Sequence, residues 1–248
     1  MTFAWPQTLV EPTPRRIRVR LGHRLIADSE RAQLLVEYGP QSLPTYYVPL
    51  DDVTPGALLP DGPGADGREQ FTVRAGDVEV PRGAWTRADV TGPFAALAGA
   101  VTFSWEALDW YEEDERVHVH ARDPYKRIDT LRSSRRVQVF VGGVEVANSV
   151  HPLLLIEQPL PRRWYLPWTD VRSDLLEASD LVTQCPYKGR ARYWSVRAGG
   201  EFVPDGAWSY PDPVPENPKI KDLVCFFDER VEVRVDGRVQ APPETPWS

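Results

Sequence analysis

The sequence says most of itself twice. "IRVRLGHRLIADS" (17–29) lies over "VQVFVGGVEVANS" (137–149), an offset of 137 − 17 = 120. In the same order, "LLVE" (34–37) meets "LLIE" (154–157) and "YYVPLDDV" (46–53) meets "WYLPWTDV" (164–171). "FTVRAG" (71–76) then meets "WSVRAG" (194–199), and "VPRGAWT" (80–86) meets "VPDGAWS" (203–209). "DERVHV" (114–119) closes the series against "DERVEV" (228–233). A repeat of this kind fixes the architecture before any residue is weighed: one fold is built twice. The expected organisation is an N-terminal extension over 1–14, a first domain over 15–131 and a second over 132–248. On this alignment the first copy carries extra residues between Phe103 and Asp114. They read as a short helix or protruding loop over 104–113, with Ser104 as its cap.

Each repeated unit reads as antiparallel β. Ile17, Val19 and Leu21 alternate with Arg18 and Arg20, the period of a half-buried strand, and Gly22 or Gly142-Gly143 supplies a hairpin turn. "ARYWSVRAGGEFV" and "RVEVRVDGRVQ" repeat the pattern around Gly-Gly and Asp-Gly. The 25 prolines among 248 residues act against long helices. Helical period surfaces only in "SWEALDWYEEDE" and "RSDLLEASD". The fold class is therefore mainly β: two tandem copies of a small antiparallel domain with few short helices.

A net charge of −7 leaves no basic stripe for nucleic acid, and no apolar run reaches membrane-spanning length. No leader pattern opens the chain. Two cysteines make no disulfide framework. The expectation is a soluble, cytoplasmic protein with reduced thiols, no nucleic-acid or membrane partner, and no cofactor.

The runs "VANS…LLLIEQ", "WYLPWTDV", "TQCPYKGRARYWSV", "GAWSYPDP" and "WEALDWYEEDERVHVHARDPYKRID" resemble the domain-of-unknown-function family 427 in a tandem form, over most of 15–240. The resemblance implies a β-tent-like domain, two antiparallel sheets meeting at an angle, and no established activity. Relatives of that fold pin their sheets with zinc through paired CxxC motifs. No CxxC occurs here, so a structural zinc site is not expected. Gly142-Gly143 is followed by Val144, Glu145 and Val146, which lacks the Asp-x-Asp pair of a nucleotidyltransferase.

The copies differ at one turn. "GPGADG" (62–67) in the first stands where the second has "CPYKGR" (185–190). Lysine occurs only at 126, 188, 219 and 221, so Cys185 and Lys188 place two scarce reactive side chains three positions apart. One reading is a plain turn with a solvated lysine. The other is a thiolate nucleophile beside Lys188 as anion clamp, with Glu157 as a site acid. Tyr165, Tyr187, Trp194 and Trp208 are either core or the walls of an aromatic pocket, and Arg122 and Tyr125 either lock the linker or border a ligand cleft. His118 and His120 share a strand face at period two but find no third ligand by spacing, so no metal is expected. The leading expectation is a small-molecule-binding protein with its site in the second domain. The alternatives are a transferase or lyase using Cys185, and a non-catalytic scaffold; a homodimer stays open.

Overall fold

The computed structural model describes residues 8–39 and 42–245. It forms two compact units, the first ending at Asp123 and the second beginning at Pro124. The first contains β1 (Leu9–Pro12), β2 (Ile17–Leu21), β3 (Arg24–Ser29), β4 (Gln33–Val36), β5 (Thr45–Pro49), β6 (Leu58–Pro63), β7 (Glu69–Ala75), β8 (Val78–Trp85), β9 (Ala100–Phe103), β10 (Asp109–Glu112) and β11 (Glu115–Val117). The second contains β12 (Ile128–Arg132), β13 (Val137–Val141), β14 (Val144–Ser149), β15 (Leu153–Glu157), β16 (Arg163–Pro167), β17 (Leu176–Cys185), β18 (Gly189–Ala198), β19 (Glu201–Pro213), β20 (Leu223–Phe226), β21 (Glu232–Val235) and β22 (Arg238–Val239). The helical pieces among the described residues are short 3₁₀ turns.

Both units have one topology. A seven-stranded antiparallel sheet runs β1-β4-β5-β9-β8-β7-β6 in the first and β12-β15-β16-β20-β19-β18-β17 in the second. A four-stranded sheet accompanies each, β11-β10-β2-β3 and β14-β13-β21-β22. The mainly β expectation from strand period is what the molecule shows, in two similar halves.

The two sheets of a half bury one core between them. In the second half that core takes Val137, Val139, Leu166, Val196, Val224 and Phe226. Successive strand residues point to opposite faces. Tyr165 and Cys225, the neighbours of Leu166 and Val224, therefore join a separate cluster on the outer face of the large sheet, with Leu153, Leu155, Trp208, Tyr210 and Ile220. The first half has a smaller outer cluster of Leu35, Tyr47, Leu97 and Ala100.

Three sequence expectations need correction. Residues 104–113 are not an insert. Trp110 pairs with Val19 as Val233 pairs with Val139, so β10 is the counterpart of β21 and the repeat runs without a gap from Phe103 and Phe226 onward. The turns agree. Glu113 and Asp236 both take φ 51°, and each side chain accepts a hydrogen bond from the backbone N–H of Arg16 (2.9 Å) or Arg136 (3.0 Å). The shared Asp-Glu-Arg-Val string sat out of register. Second, the supposed N-terminal extension contributes β1, which pairs with β4, and its counterpart β12 straddles the boundary expected at 131/132. Residues 1–7 of that extension lie outside the described residues. Third, His118 and His120 do not share a strand face. They flank Val119 at φ 73°, where the His120 N–H bonds the His118 carbonyl at 2.9 Å, and His120 is buried while His118 is exposed.

Close backbone approach explains one glycine pair. A Cβ at Gly142 would stand 2.8 Å from the carbonyl oxygens of Ala198 and Gly199, so the β13–β14 and β18–β19 turns touch only because neither carries a side chain there.

Trp110 is 1% exposed and stacks on Trp105 with ring centroids 4.5 Å apart. Trp110→Ala is expected to cost about 3–5 kcal/mol, the range for truncating a buried aromatic. Urea unfolding followed by circular dichroism measures this; a loss below about 1 kcal/mol would restore the reading of 104–113 as a dispensable loop.

Candidate functional site

Glu157 ends β15 on the outer face of the large sheet, 2% exposed. A buried carboxylate needs partners, because desolvating its charge is costly. It has two lysines. Lys126 Nζ lies 2.9 Å from Oε1, and Lys188 Nζ donates to Oε2.

Lys126 arrives locally. It lies two residues before Ile128, which pairs with Glu157 at the start of β12. Lys188 arrives from far away, at the tip of the β17–β18 hairpin. Between β15 and β18 lie β16, β20 and β19. Four strand steps across a flat sheet span about 19 Å, far beyond the reach of a lysine side chain. The sheet must curl toward its outer face, which makes that face concave. The segment between β19 and β20 bridges the mouth of the curl. Asn217 Nδ2 donates to the Tyr187 carbonyl at 2.8 Å on the hairpin side, and Lys219 Nζ donates to the Thr130 carbonyl at 3.1 Å on the β12 side.

Within the curl, Lys126 Nζ sits 4.8 Å from the centre of the Tyr187 ring. The Trp208 indole N–H donates to the Tyr165 hydroxyl at 3.2 Å, and Tyr210 lies against Tyr165 with ring centroids 6.5 Å apart. Tyr193 and Thr183 hydroxyls meet at 2.8 Å. Lys188 and Cys185 both act electrostatically on Tyr210, so thiol, phenol and ammonium share one neighbourhood. Tyr210 is 5% exposed as a residue; its hydroxyl makes no hydrogen bond among the described residues and is not one of the buried unpartnered side-chain atoms, so it reaches solvent. The Cys185 thiol, half-buried, makes no hydrogen bond either.

The electrostatics fix the protonation states. Burial pushes the Glu157 carboxyl up, but Lys188 and Lys126 outweigh it and hold the group below the usual carboxylate range. Burial pushes the Lys188 ammonium down, and Glu157 outweighs that and raises it. Burial raises the Tyr210 phenol. At neutral pH Glu157 is a carboxylate, Lys188 an ammonium and Tyr210 a neutral phenol. Glu157 is thus no general acid, and Lys188 offers no neutral amine. Cys185 sits beside the cation that the sequence assigned to it, whereas Cys225 is fully buried and its thiol is raised by burial.

Of the expected aromatic walls, Tyr165, Tyr187 and Trp208 face the curl. Trp194 does not. It sits one residue beyond Tyr193, points to the opposite face, and packs edge-on against Trp168 at 4.9 Å beside the intersheet core. Tyr125 is 68% exposed at the start of the second unit, and Arg122 belongs to the first, where it acts on Tyr46. The residues that sequence reading passed over as site members are Lys126 and Tyr193. A signal for Lys126 existed: Pro-Tyr-Lys occurs at 124–126 and again at 186–188, and the two lysines grip the same carboxylate.

The first half provides a comparison inside the molecule. Its counterpart of Glu157 is Glu37, which takes Arg87 at 3.2 and 3.4 Å. Arg87 occupies the position of Tyr210, since Trp85 and Trp208 are equivalent. The β6–β7 hairpin is shorter than β17–β18: the Pro63–Glu69 pair stands where Val182–Arg192 stands, so Lys188 lies in extra residues at the tip and has no counterpart. The same fold thus closes with one arginine, and the lysine pair, the thiol and the leftover phenol occur only in the second half.

A second buried cluster lies at the other end of the aromatic face. Arg163 binds Glu229 at 2.8 and 2.6 Å, approaches Asp228 at 3.8 Å and lies 5.5 Å from the Trp208 ring centre. Burial pushes Asp228 up to about 6, against the pull of Arg163. Among the described residues no group of three or more His, Cys, Asp or Glu is placed to hold a metal, and no helix is long and apolar enough to cross a membrane.

A family model described as "Domain of unknown function (DUF427)" matches residues 9–114 and again 129–237, one match per half. No curated protein matches the chain.

Two outcomes are expected. Glu157→Gln leaves the buried Lys188 ammonium without its counter-charge and should cost about 3–5 kcal/mol. The contribution is present above the ordinary carboxylate range and lost as pH falls through the depressed folded value, so the gap between variant and parent should close in acid. Asp228 has the opposite sign. Its raised value means that stability is lost as pH rises from the ordinary carboxylate range through about 6. Asp228→Asn should raise the melting temperature by about 2–4 °C at pH 7.5, by less as pH falls, and not at all near pH 3. Calorimetric scans across pH measure both; equal offsets at every pH would refute the assigned protonation states.

Proposed function

Since the chain belongs to the DUF427 family, whose description assigns no activity, we propose from the site itself that the protein binds a small molecule in its second half, within the curl of the large sheet. One observation carries this reading. Both halves close the same topology, and only the second surrounds its buried carboxylate with two lysines, a half-buried thiol and a phenol without a partner. The fold does not require that set, because the first half closes with Arg87 alone. Buried charges beyond structural need are a mark of function. Tyr187, Tyr193 and Trp208 supply the aromatic surface that gives an organic ligand contact area. The paired sheets of each half support the β-tent likeness, and two free thiols fit a cytoplasmic setting.

Binding is favoured over catalysis by the locked protonation states: neither Glu157 nor Lys188 is poised near neutral pH to move a proton. The transferase or lyase reading comes second, because the half-buried Cys185 thiol lies in the same hairpin as Lys188 and is a candidate nucleophile.

Native mass spectrometry of the purified protein is expected to show one small molecule per chain. Tyr187→Ala should lose it, and Arg87→Ala in the first half should keep it. A ligand-free spectrum, with no melting shift above about 1 °C across a metabolite library, would leave a structural scaffold instead.

A further inference from the structure

One corner of the outer face carries charge that the first half does without. Leu166 pairs with Val224 as Val48 pairs with Val101, so Arg163, Cys225 and Asp228 stand where the first half has Thr45, Thr102 and Trp105. There the corner is closed by neutral groups. The Trp105 indole N–H donates to the Thr45 hydroxyl at 2.8 Å, and that hydroxyl meets the Thr102 hydroxyl at 2.9 Å. The second half uses an arginine and two carboxylates. Glu229 takes both terminal nitrogens of Arg163, at 2.8 and 2.6 Å, and Asp228 is left at 3.8 Å, beyond hydrogen-bond range. The Asp228 side chain accepts no hydrogen bond from another side chain among the described residues, and it is 15% exposed, so a small molecule can reach it. Burial opposes its ionisation. A carboxyl that costs stability, where the sister half has a neutral side chain, marks use rather than folding.

We propose that the ligand of the second half is a flat aromatic ring whose uncharged N–H or O–H donates to the Asp228 carboxylate while the ring lies against Phe227 and Tyr193. This rests on the binding reading above and specifies the chemistry of one end of the ligand. An ionised carboxylate only accepts, and the terminal Arg163 nitrogens are bonded to Glu229, so a ligand at Asp228 has to bring the hydrogen. It brings it without a charge, because the protein's own cations already sit over these rings. Arg163 is 5.5 Å from the Trp208 ring centre and 5.9 Å from that of Phe227, and Arg230 is 4.8 Å from Phe227. Phe227 and Tyr193 are half-buried with ring planes 16° apart, and Phe227 packs on Trp208 with centroids 4.5 Å apart, which joins this corner to the aromatic floor of the curl.

Isothermal titration of the full chain with two pairs of probes tests the assignment: indole against 1-methylindole, and phenol against anisole. Saturable binding of indole or phenol at pH 7.5 is expected, and at least tenfold weaker binding of its methylated counterpart, the loss expected for a hydrogen bond to a charged group. The probe that binds distinguishes a heterocyclic N–H from a phenolic O–H. Binding should weaken several-fold from pH 7.5 to pH 5, as Asp228 takes up a proton through about 6. The groups that face Asp228 are Arg163 on β16, Arg162 beside it, Glu229 in its own turn and Cys225 on β20. Burial pushes Glu229 up and Arg163 outweighs it, holding that carboxyl low, while burial raises the Cys225 thiol, so neither titrates in this interval. Asp228→Asn should weaken binding about tenfold at pH 7.5 and abolish its pH dependence while raising the melting temperature, so the loss is not unfolding. Equal affinity for a probe and its methylated counterpart, binding of none of the four, a parent affinity that ignores pH, or undiminished binding in Asp228→Asn overturns the proposal. A co-purified small molecule that Asp228→Asn retains in native mass spectrometry would also overturn it while leaving a ligand site in place, so the two readings fail separately.

Discussion

One carboxylate, clamped from two directions, is the constraint on which the second half depends. Glu157 sits where the edge of a seven-stranded sheet would meet its opposite end if the sheet were rolled. Lys126 reaches it from the neighbouring strand and Lys188 from the far hairpin. A seven-stranded antiparallel sheet twists but has no intrinsic reason to close. An ion pair between its ends supplies one, and burial removes the solvent that would otherwise screen the attraction. The curl then makes a concave aromatic face out of what would be an exposed one, which is why Tyr165, Trp208 and Tyr210 can be buried on the side of the sheet away from the main core.

The first half shows how little of this the fold itself demands. Glu37 and Arg87 perform the same closure with two side chains, on a sheet of the same strand order. The outer cluster there is smaller, and its arginine stacks on Phe94 at 3.6 Å. Duplication leaves one copy free to keep the economical solution while the other accumulates chemistry.

Much of the fold was legible in the sequence, because period-two alternation and paired glycines are local signals that act over a few residues. The register of the last hairpin was not. "DERV" at 114–117 and at 228–231 is the same string doing different work, a hairpin turn leading into β11 in one copy and the approach to β21 in the other. Charged turn residues carry little packing information, whereas the equivalence of Trp110 with Val233 does, and a tryptophan opposite a valine is invisible to string matching. The site was half legible for a related reason. The scarcity of lysine and cysteine pointed at Cys185 and Lys188. That Lys188 would spend its charge on Glu157 follows from sheet curl, which no local pattern encodes. Trp194 was assigned to the wrong face although the alternation with Tyr193 was there to be read.

The place where β12 begins has a practical side. The first unit ends at Asp123, and Lys126 precedes the strand that borders Glu157. A cut at the boundary suggested by the repeat, near residue 132, would strip the sheet of its edge strand and the carboxylate of one cation. A cut before Pro124 keeps both. Anyone separating the halves, fusing the second to another protein or shuffling such units between chains has a few residues of tolerance at that joint. The segment that looks like a linker is the first working part of the domain that follows it.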